Sequence, residues 1–205
     1  MAVVAGFDDP TASLEQYPTP AGVAAHVVHL ADLRGGVAGR TVVDLGAGTG
    51  MFALGAALRG AARVVGVELD GGALGVARAN ERRVGARTEV HWVRADATRP
   101  PLARDRLAAA GPVTAIMNPP FGAQTGNEHA DRAFLKTVAG LADVSYSVHN
   151  AGSREFVEAF AADEGGTVTD AFAATLTLDR TYDHQTSESA DVDAEVFRIE
   201  WPRDG

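Results

Sequence analysis

The chain has no cysteine, which excludes disulfides, thiolate metal sites and cysteine nucleophiles. Lysine is nearly absent too: Lys136 stands alone, and every other basic residue is arginine. Positive charge is scarce overall, with 18 Lys and Arg against 27 Asp and Glu and a formal net charge of -9. Such a surface repels nucleic acid at ordinary ionic strength. No apolar run approaches the ~20 residues of a membrane-spanning helix. The amino-terminal stretch Met1–Pro10 lacks the basic start of a signal peptide, so a cytoplasmic protein with no membrane partner is expected. The six histidines (His26, His29, His91, His129, His149 and His184) show no metal-ligand spacing, and no metal site is expected.

What is present is a globular chain. Its 205 residues are 46% hydrophobic and 22% charged, enough to bury a sizeable core and too apolar for disorder. One domain spanning residues 1–205 is expected, with residues 1–40 forming a lead-in and a helix. The acid-rich, lysine-poor, Ala/Gly/Val/Asp-rich composition resembles that of salt-in halophiles and would suit a halophilic archaeon; the alternative is an ordinary acidic enzyme acting on small molecules. In molar salt the Debye length falls to about 3 Å and net charge no longer selects partners.

The most informative stretch is Thr114-Ala-Ile-Met-Asn-Pro-Pro-Phe121. It is a short apolar run, too short for a helix and closed by two prolines, so it reads as a buried strand that must stop at Asn118. An amide, two stiffly held carbonyls (Pro119, Pro120) and an aromatic ring (Phe121) then stand at the strand's carboxyl end. In open α/β sheets that edge holds ligands.

A second signal is Asp44-Leu-Gly46-Ala-Gly48-Thr49-Gly50, after the apolar strand Thr41–Leu45 and before a helix from Met51 to about Arg59. Glycines permit a tight turn and close approach to a ligand, while the helix offers amino-terminal N–H groups. The dinucleotide fingerprint would need glycine where Met51 stands, and Asp44 would face two phosphates; an ammonium group suits it better. The strand Arg63–Val67 runs into Glu68, 22 residues beyond Gly46, a position from which a carboxylate can accept both ribose hydroxyls. Strand Thr88–Val93 leads to Asp96. Three carboxylates after three successive strands outline a nucleoside-shaped site.

Around these, Val23, Val27 and Leu30 share a helical face that starts at Thr19-Pro20 and ends at Gly35-Gly36. On local grounds Gln16 and Thr19 are loop and cap. Helices are further expected at Ala73–Arg83, Ala130–Leu141 and Ser153–Ala162, and a strand at Val144–Val148. An antiparallel pair is expected from Thr167–Leu178 and Val192–Trp201, joined by a polar connection, Asp179–Asp191. Gly122–His129 is polar and is a candidate gating loop. Strands alternating with helices imply an α/β fold, an open, mostly parallel sheet with an antiparallel carboxyl-terminal hairpin.

These elements, in this order, resemble the Rossmann-like class I S-adenosylmethionine (SAM)-dependent methyltransferases over roughly Thr41–Trp201. Asn-Pro-Pro-aromatic marks those acting on a planar amino nitrogen, N6 of adenine or a glutamine amide. Leu14-Glu-Gln-Tyr-Pro-Thr19, Ile116–Gly122, Ala133–Thr137, and Tyr146–His149 with Ser153-Arg-Glu155 narrow the resemblance to the methyltransferase-like protein five family. The resemblance implies an N6-adenine methyltransferase acting on small-subunit ribosomal RNA, with SAM as cofactor and a small zinc-binding activator protein as heterodimer partner. It implies SAM contacts from Gln16, Thr19, Asp44, Gly46, Gly48, Thr49, Met51, Glu68 and Asp96, and a target-adenine pocket at Asn118, Pro119, Pro120 and Phe121. It thereby reassigns Gln16 and Thr19 from structure to cofactor. This chain departs from human-type members in the acidic Ser187–Asp193 and in Asn150, where lysine is usual. The competing readings are a release-factor-type glutamine methyltransferase and a non-catalytic SAM-fold RNA-binding or assembly subunit.

Overall fold

The computed structural model describes residues 4–7, 10, 16, 19–120, 130–179 and 189–202. Phe121, the proposed gating loop and most of the connection between the last two strands lie outside the described residues. Seven strands form one sheet: β1 (Thr41–Leu45), β2 (Arg63–Glu68), β3 (Val90–Arg94), β4 (Val113–Met117), β5 (Val144–Asn150), β6 (Thr167–Asp179) and β7 (Ser189–Glu200). Their order is β3-β2-β1-β4-β5-β7-β6. The first five pair in parallel, and β7 runs antiparallel to both β5 and β6. The expected open sheet with a closing hairpin is therefore observed.

Alternation along each strand builds two apolar layers. Val42, Val64, Ile116 and Tyr146 face α1 (Ala21–Leu33) and α2 (Met51–Leu58). Val43, Leu45, Ala115 and Met117 face α5 (Ala130–Leu141) and α6 (Arg154–Asp163). β1 and β4 are buried at every residue, which is why both read as mainly apolar runs instead of alternating ones, with Asp44 the buried exception in charge. Helix α2 is buried from Met51 through Ala57, so it is apolar all round. No helix among the described residues is long and apolar enough to cross a membrane.

Several boundaries differ from expectation for local reasons. α3 runs Gly71–Val84 instead of starting at Ala73, because the Asp70 carboxylate caps it by accepting the Gly72 N–H at 2.8 Å. β3 begins at Val90, since the Thr88 hydroxyl turns away to donate to the Ala61 carbonyl at 2.8 Å. β7 begins at Ser189: exposed Asp191 and Asp193 alternate with half-buried Val192 and buried Ala194, a strand pattern masked by its acidity. A short helix, α4 (Arg104–Ala108), carries no amphipathic pattern long enough to be read from sequence.

The topology positions the site. From β1 the chain moves one way across the sheet to β2 and β3, then returns past β1 to β4 and β5. β1 and β4 are neighbours whose connections leave in opposite directions, so a crevice opens between their carboxyl ends. Register places Leu45 beside both Val67 and Met117, so the glycine loop, Glu68 and Asn118 all emerge at that edge.

Candidate active site

The loop leaving β1 is tied to β2: the Gly46 and Ala47 N–H groups both donate to the Val67 carbonyl at 2.9 Å. Two of its glycines are dictated by geometry. Gly48 has φ +53°, and a Cβ there would lie 3.0 Å from the Phe7 ring. Gly50 has φ +92°, and its Cβ would lie 2.7 Å from Trp92. Any side chain at either position meets both strain and a ring.

Gly50 is also the amino-cap of α2 and has no side chain to cap with. Asp44 does this from β1, its Oδ2 accepting the Ala53 N–H at 2.8 Å. Its Oδ1 is buried and has no partner among the described residues. Burial pushes the Asp44 pKa up to about 7; the Ala53 N–H opposes the rise and the nearby Glu68 charge adds to it. A buried carboxylate with one uncommitted oxygen, beside a helix start, fits a cationic amino group.

Glu68 is buried, with Oε2 accepting from the Gly48 N–H at 2.8 Å and Oε1 from the Asp70 N–H at 2.9 Å. Each oxygen retains a lone pair for a ribose hydroxyl. Glu68 therefore holds the loop as well as facing the crevice. Glu68→Ala is expected to weaken SAM binding by about 1–3 kcal/mol, because charged acceptors are lost. Calorimetry showing wild-type SAM affinity in a folded Glu68→Ala protein would remove it from the site.

Gln16 is buried and its Nε2 donates to Asp70 Oδ2 at 2.9 Å. That bond, ahead of the backbone N–H groups of Gly72 and Ala73, holds the Asp70 carboxyl below the usual carboxylate range. Thr49 and Met51 are buried, Met51 as the first residue of α2. Asp96 is exposed, and its Oδ1 accepts from the Thr98 N–H at 2.8 Å and hydroxyl at 2.7 Å; the hydroxyl leads in lowering its pKa.

On the β4 side, Asn118 Nδ2 donates to the Thr19 hydroxyl at 3.0 Å, while its Oδ1 is buried without a partner among the described residues. Thr19 thus does not cap α1. Pro20 occupies the cap position without a side-chain bond, and Thr19 orients the amide instead. Pro119 is buried and Pro120 half-buried beside it.

The sequence reading missed Asn80, which is fully buried on α3 and bonds to Ala5 and to Thr49 of the glycine loop. The signal was its phase: Ala73, Ala77 and Asn80 share the buried face. His149 is also buried, and burial pushes its pKa down to about 4 against Asp131 and Glu195, leaving a neutral imidazole at pH 7. No cluster of three or more His, Asp or Glu fit to hold a metal occurs among the described residues.

Known proteins match this arrangement. A methyltransferase-domain family model matches residues 42–119, which run from β1 to the first proline of Asn118-Pro-Pro120. The rRNA N(6)-adenosine-methyltransferase Mettl5 of Drosophila melanogaster is 33% identical over 199 residues, covering 96% of this chain and 91% of that protein. The chain belongs to the METTL5 family. Protein MJ0284 of Methanocaldococcus jannaschii is 31% identical over 199 residues, covering 94% of this chain and 87% of that one. The crystal structure of PH1948 from Pyrococcus horikoshii superposes with TM-score 0.86 at 32% identity, over 98% of this chain and 95% of its own. This chain thus has the class I SAM-dependent methyltransferase fold.

Proposed function

We propose that this METTL5-family chain transfers a methyl group to N6 of adenosine in RNA, small-subunit ribosomal RNA above all. SAM is the methyl donor, and its sulfonium supplies a good leaving group. The orphaned Asp44 Oδ1 fits its ammonium group. Asp44 would hold its ammonium and Glu68 its ribose hydroxyls, with Gln16, Thr19, Gly46, Gly48, Thr49, Met51 and Asp96 completing the site. The amino-terminal lead-in, reaching the crevice at Gln16 and Thr19, belongs to the same domain in this reading.

The observation that carries the proposal is the Asn118 amide. Thr19 fixes its Nδ2, so its oxygen is aimed and uncommitted. An unpaired buried acceptor costs about 1–3 kcal/mol, a strain suited to a site awaiting an N–H donor. The exocyclic amine of adenine donates two N–H groups, and its lone pair is delocalised into the ring. Asn118 Oδ1 accepts one N–H and the Pro119 carbonyl the other, which draws the nitrogen toward tetrahedral geometry and frees its lone pair. Phe121 stacks on the base, which must leave any duplex to reach the pocket. Orientation supplies much of the acceleration. No strong base is required, because the methylated amine releases its proton to solvent afterwards.

A small zinc-binding activator is proposed as partner. β3 is an edge strand flanked by an open groove of mixed charge, lined by Arg78, Arg82, Glu81, Glu89, His91 and Trp92. A partner there covers the edge and adds RNA-contact area to a chain of net charge -9. The protein is expected to meet its RNA in the cytoplasm.

The test is transfer of labelled methyl from SAM to small-subunit ribosomal RNA, to release factor, and to buffer alone at high salt. The chain is assayed alone and co-expressed with small zinc-binding proteins. Label in RNA alone, raised by a co-purifying zinc protein, is expected. Label in release factor overturns the RNA reading, no label supports a scaffold, and full activity of the lone chain overturns the activator.

A further inference from the structure

Asn80 has no place in the cofactor and acceptor contacts described above, yet it is fully buried and all three of its amide bonds are made to backbone. Its Oδ1 accepts the Ala5 N–H at 2.9 Å, and its Nδ2 donates to the Ala5 carbonyl and to the Thr49 carbonyl, both at 3.0 Å. Toward Ala5 the side chain acts as a neighbouring strand would, pairing both backbone groups of one residue. Toward Thr49 it grips the glycine loop two residues before the start of α2. A buried amide is costly unless it is bonded, and an apolar residue would fill the same core position more simply. What the amide adds is a link between two segments 75 residues apart in sequence.

The linked segment lies against the loop. Val4 packs on the apolar layer beneath α1 and α2. Two residues beyond Ala5, the Phe7 ring rests on Gly48, within 3.0 Å of where a Cβ would stand. The Gly48 N–H is meanwhile held by Glu68. Gly48 is therefore clamped between a carboxylate on one side and a ring on the other, and Asn80 holds the ring's segment in place.

We propose that Asn80 is a positioning residue for the cofactor: it staples residues 4–7 across the glycine loop, so that closure of this segment and retention of SAM are thermodynamically coupled. This rests on the reading of the loop as the SAM site. Coupling is reciprocal, so SAM should stabilise the docked segment by the factor by which the segment tightens SAM.

The test compares wild type with Asn80→Ala, Ala5→Pro and Phe7→Ala, each in the full chain. Ala5→Pro removes the N–H that Asn80 Oδ1 accepts, while fixing φ at residue 5, and leaves the buried Asn80 in place, so it keeps the test open should Asn80→Ala fail to fold. Calorimetry without RNA should show SAM dissociation constants raised about tenfold in all three, within the range of ordinary coupling. Combining Phe7→Ala with Asn80→Ala should add little, because both release the same segment. The KM for SAM should rise while kcat at saturating SAM and the KM for RNA stay near wild type. Hydrogen exchange should show the Ala5 amide protected in wild type, more so with SAM, and unprotected in Asn80→Ala. A wild-type chain that fails to bind SAM overturns the cofactor reading itself. A wild type that binds SAM, with the variants binding it equally tightly, overturns this inference alone.

Discussion

Asn118→Ala is expected to bind SAM nearly as wild type does while single-turnover methylation of RNA falls more than about a hundredfold, at least ~3 kcal/mol of lost transition-state stabilisation. The asymmetry follows from where the amide acts. Its oxygen is buried and unpartnered in the free protein, so the substitution removes a contact made chiefly at the reacting nitrogen. Truncation also frees the Thr19 hydroxyl, but Thr19 sits in an irregular lead-in and can turn to solvent. Asn118→Asp keeps acceptor oxygens and loses the Nδ2 donor that Thr19 receives at 3.0 Å, so intermediate rates are expected. A residue that merely ended β4 would show the opposite pattern: modest loss of stability and unchanged turnover per folded molecule. Rates normalised to SAM-binding sites distinguish the two.

The second large effect concerns Asp44 and pH. Its folded-state pKa is raised to about 7 from an ordinary value of 3.8, chiefly by burial. The folded protein therefore keeps a proton that the unfolded chain has released. The associated stability is full below pH 3.8 and is lost as pH rises through about 7. At about 1.4 kcal/mol per pKa unit the loss is about 4 kcal/mol. A bound ammonium group offsets it, because it pairs the buried charge of the carboxylate. Two results are expected. SAM binding should tighten as pH rises through 7 in wild type and stay flat in Asp44→Asn. The melting temperature of SAM-free Asp44→Asn should gain on wild type between pH 5 and pH 8, even as its SAM affinity falls. A parallel pH dependence of the two proteins, measured by calorimetry in SAM, would rule Asp44 out as the ammonium acceptor.

Where the site was legible in sequence, the determinants were local. β1 and β4 are buried on both faces, so each is a mainly apolar run closed by glycine or proline, and the residues at and just past the ends of such runs lie at the sheet's carboxyl edge. The place of Glu68 at that edge was legible from spacing alone. What escaped was set by partners distant in sequence. The Thr19 hydroxyl looks like a helix cap beside Pro20, but its partner is Asn118, 99 residues away. Asn80 looks like a surface residue of a polar helix until Ala5 and Thr49 are brought to it. The Gly71-Gly72 pair looks like a helix breaker, and the Asp70 cap outweighs that cost. The start of β7 was hidden because exposed aspartates alternate with its inward residues. Acidity read as loop composition was in fact one face of a strand.

The most direct measurement of the central claim is the chemical identity of the product. Unmodified small-subunit ribosomal RNA is incubated at high salt with SAM and the wild-type chain, or with Asn118→Ala. The RNA is then digested to nucleosides and the methylated species identified by mass spectrometry. N6-methyladenosine is expected from the wild type and a trace at most from Asn118→Ala. A methyl group on any other atom, or equal N6-methyladenosine from both proteins, would contradict that claim.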